Sequence, residues 1–410
     1  MTGSSAALRQ TLRFEEKREL ILGAAASLFN QRGVKGTTLA DVAAGVGLVT
    51  NSISYYYRKK EDLAAACFLR TIETIAETAD AAAREASARE QVRTFLGLYF
   101  RILAEIAVGN RAQLLSSNDL RSLEEPHAAT VFTTYTEMFR QIRRLLSAPG
   151  APDLDRNELN ARTHLLVSVV HSAQNWVHRY EPDDYPRVAA RLADILLDGF
   201  RAGDLPFDPP DFMPADGAAG HGEDSFRERF LRAATFLINE HGYRGASVDK
   251  ISARLSVTKG SFYHHNEHKD ELVADCFERT FSLIRSVQRR AVETVPDGWS
   301  RATGAVSTLT AFQLSPRGPL LRIAALSAMP ETMRPDMVAQ MNRLLERFGG
   351  IVSDGIADGS LRPIDARIGG QLLYTASNSA AELHRWVPTQ DRSGASRRYV
   401  RPLFTGLMQP

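Results

Sequence analysis

Two cysteines in 410 residues are too few for a disulfide framework. No uninterrupted apolar stretch reaches the roughly 18 residues a membrane helix needs, and the first residues carry no apolar run behind a basic start. These absences lead us to expect a soluble, cytoplasmic protein. Charge of one sign is missing too: 50 basic residues meet 48 acidic ones for a formal net charge of +2. No global basic field announces nucleic acid, so charge has to be judged locally. There is no Gly-rich phosphate loop, no Gly-x-Ser-x-Gly nucleophile motif and no carboxylate and histidine set for a metal. Neither an enzyme nor a cofactor is therefore expected. Alternating strand patterns and Asn-Gly hairpin signals do not stand out either. That leaves an all-α chain whose 44% hydrophobic content can fill two or more cores.

What the chain does have is a repeat. Residues 42–63 and 251–272 superimpose without a gap at a constant offset of 209 positions. Ahead of the first stretch, Ile21, Ala24, Ala25, Leu28 and Phe29 fall at the i, i+3, i+4, i+7, i+8 spacing of one buried helix face. Gly33 ends that helix, Thr38 is placed to cap the next, and Leu39, Val42, Ala43 and Val46 give the next its apolar side. Gly47 makes a turn before a third helix from about Thr50 to Arg58. The second copy answers with Phe230, Ala233, Ala234, Leu237 and Ile238, then Gly242, Ser247, Val248, Ile251 and Leu255. A short helix, a small turn and a polar, aromatic-rich helix make the layout of a helix-turn-helix. Cys67 and Cys276 are also 209 apart, on the apolar side of a helical pattern, where a small buried hydrophobe is favoured over a redox sensor or a disulfide. Internal duplication follows.

Behind the first copy, helical patterns run roughly over 62–84, 88–108, 111–122, 125–148, 157–180 and 185–201, and the second half mirrors them to the C-terminus. Between the halves, residues 201–225 hold four prolines, four glycines and six acids against one arginine, which reads as a linker. The expected units are helix-turn-helix domains at 1–60 and 226–269, helical effector and dimerisation domains at 61–201 and 270–410, and an acidic linker at 202–225.

Both repeated stretches resemble the N-terminal signature of the TetR/AcrR family of transcriptional repressors, in the run from Val42 through Gly45, Val46, Tyr56, Lys60 and Glu61 to Leu63, and in its partner from Ile251 to Leu272. The resemblance implies a small-molecule-responsive DNA-binding regulator, a repressor, whose subunits dimerise through their last two helices. With two subunits in tandem it implies an intramolecular pseudodimer, helices near 157–201 packing on those near 363–408. Further homo-oligomerisation stays open.

A reading helix offers its N-terminal side chains to base edges while flanking groups hold phosphates. The candidates for DNA contact in the first module are Thr38, Thr50, Asn51, Ser52, Ser54, Tyr55, Tyr56 and Lys60, and in the second Ser247, Lys259, Ser261, Tyr263, His264, His265 and Lys269. The two sets differ at nearly every reading position, so the expected operator is an asymmetric pseudo-palindrome. Val49 replaces the usual capping serine, which puts Thr50 in line to cap instead, and Asn266 replaces a core phenylalanine of the family pattern. Residues 1–70 hold ten basic and six acidic groups, whereas 226–280 hold nine and eight with four histidines. Module one is therefore expected to grip phosphate more strongly, and module two to be weaker and more sensitive to acid. An alternative reading leaves only the first module on DNA, with the second a degenerate dimer partner. His264, His265 and His268 point to different helix faces and lack a completing ligand, so phosphate contact or plain exposure is preferred to metal. For an apolar or amphipathic effector the candidates are Tyr99, Phe132, Tyr135, Phe139, Gln174, Asn175, Trp176 and His178, in a cavity between helices of one half.

Overall fold

A computed structural model describes residues 2–116, 120, 123–214, 226–255, 269–329, 332–388 and 391–410 of the chain. Among these residues the structure is helical, with a single isolated antiparallel bridge between Arg201 and Leu361. The first half comprises α1 (Thr2–Arg32), α2 (Leu39–Gly45), α3 (Thr50–Tyr56), α4 (Lys60–Ala82), α5 (Ala88–Ala107), α6 (His127–Leu145), α7 (Arg156–Trp176) and α8 (Tyr185–Asp198). The second comprises α9 (Phe226–Gly245), α10 (Val248–Leu255), α11 (Lys269–Thr294), α12 (Gly298–Leu314), α13 (Arg334–Ala357), α14 (Ala366–Ser379) and α15 (Arg392–Thr405). No helix among the described residues is long and apolar enough to cross a membrane.

The repeat is kept at the level of single bonds. Gly33 and Gly242 both sit at φ 70°, where an L side chain would be strained, and each breaks the first helix of its module. The Cys67 and Cys276 thiols are buried, each 3.6 Å from the carbonyl of Leu22 or Leu231. Asn30 donates to the Leu114 carbonyl and accepts from the Ser116 N–H, at 2.9 and 2.8 Å. Asn239 does the same with Leu320 and Arg322 at 2.9 and 3.0 Å. The Thr71 and Thr280 hydroxyls accept from the N–H of Leu115 and Leu321, while Arg70 and Arg279 pair with Glu19 and Glu228. The first helix of each module is thereby fixed to the body behind it by matched polar contacts around a buried core, a setting in which hydrogen bonds are costly to break.

These clamps also correct the helix expected at 111–122: residues 112–116 are not helical. Their backbone groups are claimed by the Asn30 and Thr71 side chains, which a continuous helix would have left without partners. At the N-terminus, α1 starts at Thr2, which places Arg9, Arg13, Lys17 and Arg18 within a helix.

The halves meet where α7 and α8 pack on α14 and α15. Arg362 reaches across to the Gly199 carbonyl and the Asp194 carboxylate, both at 2.8 Å, and Arg191 pairs with Asp365. Arg162 is buried and donates to the Leu407 and Gln409 carbonyls at 2.6 Å, its guanidinium pushed down to about 10 by burial. Backbone bonds from Phe200 N–H to the Phe404 carbonyl and from Leu407 N–H to the Leu196 carbonyl close the seam. At Gly199, φ 73° coincides with a close approach, since a β-carbon there would run into the Phe404 carbonyl oxygen.

The linker expected over 202–225 is in part a docked strap. Phe207 and Phe212 are buried, the Trp299 indole donates to the Pro206 carbonyl at 3.0 Å, and the Phe212 N–H donates to the Thr308 hydroxyl at 3.0 Å. Acids and prolines dominate its composition, but two aromatics are enough to anchor it, Phe212 on α12 and Phe207 against Phe404 of α15. Residues 215–225 lie outside the described residues.

Substituting Gly199→Ala is expected to cost at least about 2 kcal/mol through strain and overpacking, measured by denaturant unfolding; an unchanged midpoint contradicts the close approach. Burial pushes both cysteine thiols up to about 12. A thiol reagent at neutral pH should therefore label neither until denaturant is added.

Candidate DNA interface and seam cavity

In the first module the Thr38 hydroxyl accepts from the Asp41 N–H at 3.1 Å while the Asp41 carboxylate accepts from the Thr38 N–H at 2.8 Å, a capping box; the Thr38 hydroxyl also donates to that carboxylate at 2.6 Å, and these bonds hold the carboxyl below its ordinary range. A tight start for α2 sets the turn that presents α3. Val49, not Thr50, occupies the cap position of α3 and makes no side-chain bond there. The expectation that Thr50 caps is thus corrected: it is the first helical residue, and its exposed side chain stays available. Ile53 and Tyr57 turn inward, with Arg18 donating to the Tyr57 hydroxyl at 3.3 Å. This leaves Thr50, Asn51 and Tyr55 exposed, and Ser52, Ser54 and Tyr56 half-buried. Ser54 donates to the Thr50 carbonyl at 3.2 Å. Phe14 stacks on Tyr56 at 4.7 Å and meets Tyr55 edge-on at 6.4 Å, so α1 steadies both tyrosines.

Lys60 is placed differently from its expected role. Its ammonium donates to the carbonyls of Lys35 and Thr37 at 3.4 and 3.3 Å, fastening α4 to the loop before α2. The exposed cations beside the reading helix are Arg58 and Lys59, absent from the sequence-derived candidates although they form one basic run with Lys60. In the second module Lys259, Ser261, Tyr263, His264 and His265 lie outside the described residues, as do Asn266 and His268. Lys269 opens α11, and the Ser247 hydroxyl accepts from the Lys250 N–H at 3.3 Å at the start of α10.

A cavity of about 510 Å³ lies on the seam itself, lined by α6 and α7 of the first half and by residues 322–323 and 341–386 of the second. This corrects the expectation of a pocket within one half. Of the effector candidates, Phe132, Tyr135, Asn175 and Trp176 line it. Four other candidates do not. Tyr99 is fully buried behind the wall and accepts from Gln174 at 2.9 Å. Phe139 is covered by Trp386, which stacks on it at 3.6 Å with planes 4° apart, and His178 faces outward.

Not foreseen from the sequence is the second half's share of the wall, notably Arg322, Gln371, Tyr374, Glu382, Arg385 and Trp386. The one signal for it was that His384-Arg385-Trp386 answers His178-Arg179-Tyr180 in the repeat. A polar contact crosses the seam in the wall: Thr375 donates to the Ser172 hydroxyl at 3.3 Å, and Trp176 of the same helix as Ser172 donates to that oxygen at 3.4 Å. The Nε2–H of His164 donates to the Ser379 carbonyl at 2.9 Å, and burial keeps this imidazole and that of His171, pushed down to about 4, neutral. Aromatic faces beside a few convergent polar groups are suited to an amphipathic small molecule.

Residues 21–67 and 230–276 each match the family described as bacterial regulatory proteins, tetR family. The transposon Tn10 TetC protein of Escherichia coli is 31% identical over 83 residues, 20% of this chain and 42% of its own length. The HTH-type transcriptional repressor KstR2 of Rhodococcus jostii is 23% identical over 202 residues, 48% of this chain and 97% of its own length. This chain therefore spans less than half of TetC but nearly all of KstR2 within half of itself. Among solved structures, the TetR-family regulator PfmR from Thermus thermophilus aligns with 43% of this chain and 92% of its own, at 18% identity and a TM-score of 0.35. Each half thus carries a DNA-binding domain of the tetR family of bacterial regulatory proteins, and that domain is tandemly duplicated in the chain.

Proposed function

We propose that this chain is a ligand-responsive repressor that reads an asymmetric operator as a single-chain pseudodimer. The observation that carries the reading is the contrast between frame and readers. The Asn30 and Asn239 clamps, the Cys67 and Cys276 contacts and the Gly33 and Gly242 breaks recur at one offset, while the residues at the reading positions do not. With the frame kept, unlike side chains at the reading positions meet unlike half-sites in successive major grooves, about 34 Å apart. Tethering raises the local concentration of one half around the other, so pairing need not depend on protein concentration.

The proposed units follow the expected boundaries, except that the strap at 205–214 belongs with the second helical domain on which it docks. The seam cavity supports the response to ligand: an occupant touching both halves would favour one spacing of the reading helices over another, and operator affinity would change by that preference. The setting is the cytoplasm, where bacterial DNA lies. Thr50, Asn51 and Tyr55 are the proposed base readers of module one, with Arg58 and Lys59 at phosphates.

Selection of bound sequences from a random pool should yield two unlike half-sites, whereas a perfect palindrome as the best site contradicts the proposal. A footprint over a single groove would favour the reading in which only module one binds DNA. Asn51→Ala should cost about 1–3 kcal/mol and relax preference at one position of one half-site. Arg58→Ala should weaken all sites alike and lower the slope of log affinity against log salt by about 1, with folding stability unchanged. Lys60→Ala should lower the unfolding midpoint as well, because two carbonyls lose their donor.

A further inference from the structure

Among the described residues, the seam cavity is tied by charge to α9 and not to α1. On its wall, Arg322 donates its backbone N–H to Asn239 of α9 at 3.0 Å and pairs its guanidinium with Glu382, another wall residue. Arg385, also on the wall, pairs with Glu240, the next residue of α9, at 3.6 Å. α9 is the first helix of the second helix-turn-helix. The equivalent positions of the first half carry neither pair among the described residues. Ser116 holds the place of Arg322, its N–H on Asn30 at 2.8 Å. Gln31 holds the place of Glu240 and donates to Ser27 at 3.4 Å. Arg179, which answers Arg385 in the repeat, donates to Asn342 of the second half at 2.6 Å instead.

The wall is also electropositive. Among the described lining residues Arg179, Arg322 and Arg385 face a single acid, Glu382. His164 and His171 add no negative charge, and the His171 ring, 5.7 Å from Tyr135, has no hydrogen-bond partner among the described residues and opens onto the cavity. Trp176, Trp386, Phe132 and Tyr135 supply broad apolar faces beside these cations. In such a partly desolvated setting, an arginine exchanges one carboxylate for another anion at modest cost, because the charge stays paired.

We infer that the seam cavity takes one organic anion with an apolar body per chain, its anionic head competing with Glu382 for Arg322 and with Glu240 for Arg385. Occupancy loosens α9 and so acts on the second reading module rather than the first. This deepens the proposed ligand response and rests on it for its consequence at DNA, while the site itself stands on the cavity's geometry and charge.

The probes are 1-anilinonaphthalene-8-sulfonate and its neutral counterpart N-phenyl-1-naphthylamine, which keeps the aromatic body and lacks the sulfonate. Fluorescence titration of the full chain without DNA should show one sulfonate probe bound per chain, at least about tenfold tighter than the neutral one, the gain expected of a charge-assisted contact. Arg322→Gln should abolish most of that difference and leave neutral-probe binding unchanged. Glu382→Gln should tighten the sulfonate probe severalfold, because Arg322 loses its competitor. A merely structural role for this pair would weaken binding in both variants. Amide hydrogen exchange at saturating sulfonate probe should then quicken across 226–242 and stay constant across 13–32.

Equal affinity for the two probes, two sulfonate probes per chain, loss of binding in both variants, or equal exchange responses in α1 and α9 would each overturn the inference. Because none of these measurements uses DNA, their failure leaves the operator reading standing. Absence of operator binding, with the probe results as expected, would sink the operator reading and leave the site intact.

Discussion

The structure depends on how each helix-turn-helix is bolted to its helical body. A reading helix of seven residues, Thr50–Tyr56, has little stability of its own. Its pose comes from α1, and α1 is held by a side-chain amide, Asn30, that satisfies both a carbonyl and an N–H of the segment at 114–116. Asn239 repeats the arrangement at 320–322. Since an amide shielded from water and left half-satisfied is costly, these bonds couple α1 and α9 to the bodies behind them. The seating of α1 and of α9 on the helical bodies behind them passes through these two joints.

Duplication gives the chain a freedom that a symmetric dimer lacks. Two identical subunits must present the same surface to each other, and any substitution appears twice. Here the backbone bonds of the seam are reciprocal, but several of its side-chain contacts are one-sided. Arg162 is buried against the Leu407 and Gln409 carbonyls, Arg362 clasps Gly199 and Asp194, and Trp386 covers Phe139. The cavity between the halves has one wall from each, and only the second wall carries arginines engaged with α9. The same divergence runs through the reading positions. What stayed constant is the set of contacts that makes each module fold and dock.

Much of this was legible in the sequence because it is local or periodic. The buried face of α1, the Gly33 break, the Thr38 cap and the seat of the cysteines follow from spacing within a few turns, and a second copy at a fixed offset doubled the signal. The features that were not legible are contacts between distant residues. Residues 112–116 carry a helical pattern, but distant side chains take their backbone bonds. The strap at 205–214 has a linker's composition, and only the position of Trp299 and Thr308 shows that it docks. Tyr99 and Phe139 have the same pattern as Phe132 and Tyr135, and nothing short of the packing against Gln174 and Trp386 separates core from cavity wall. Lys60 fitted a family pattern of DNA contact, yet nearby carbonyls hold it.

The central claim is that one chain does the work that two subunits do elsewhere. Sedimentation of the protein bound to a duplex carrying its selected site tests this most directly. One chain of 45.3 kDa per duplex, with no further mass added as protein concentration rises through saturation, is the predicted result. Two chains per duplex at the lowest occupancy would contradict it, because each operator would then be read by a dimer of this chain and not by the two modules within it.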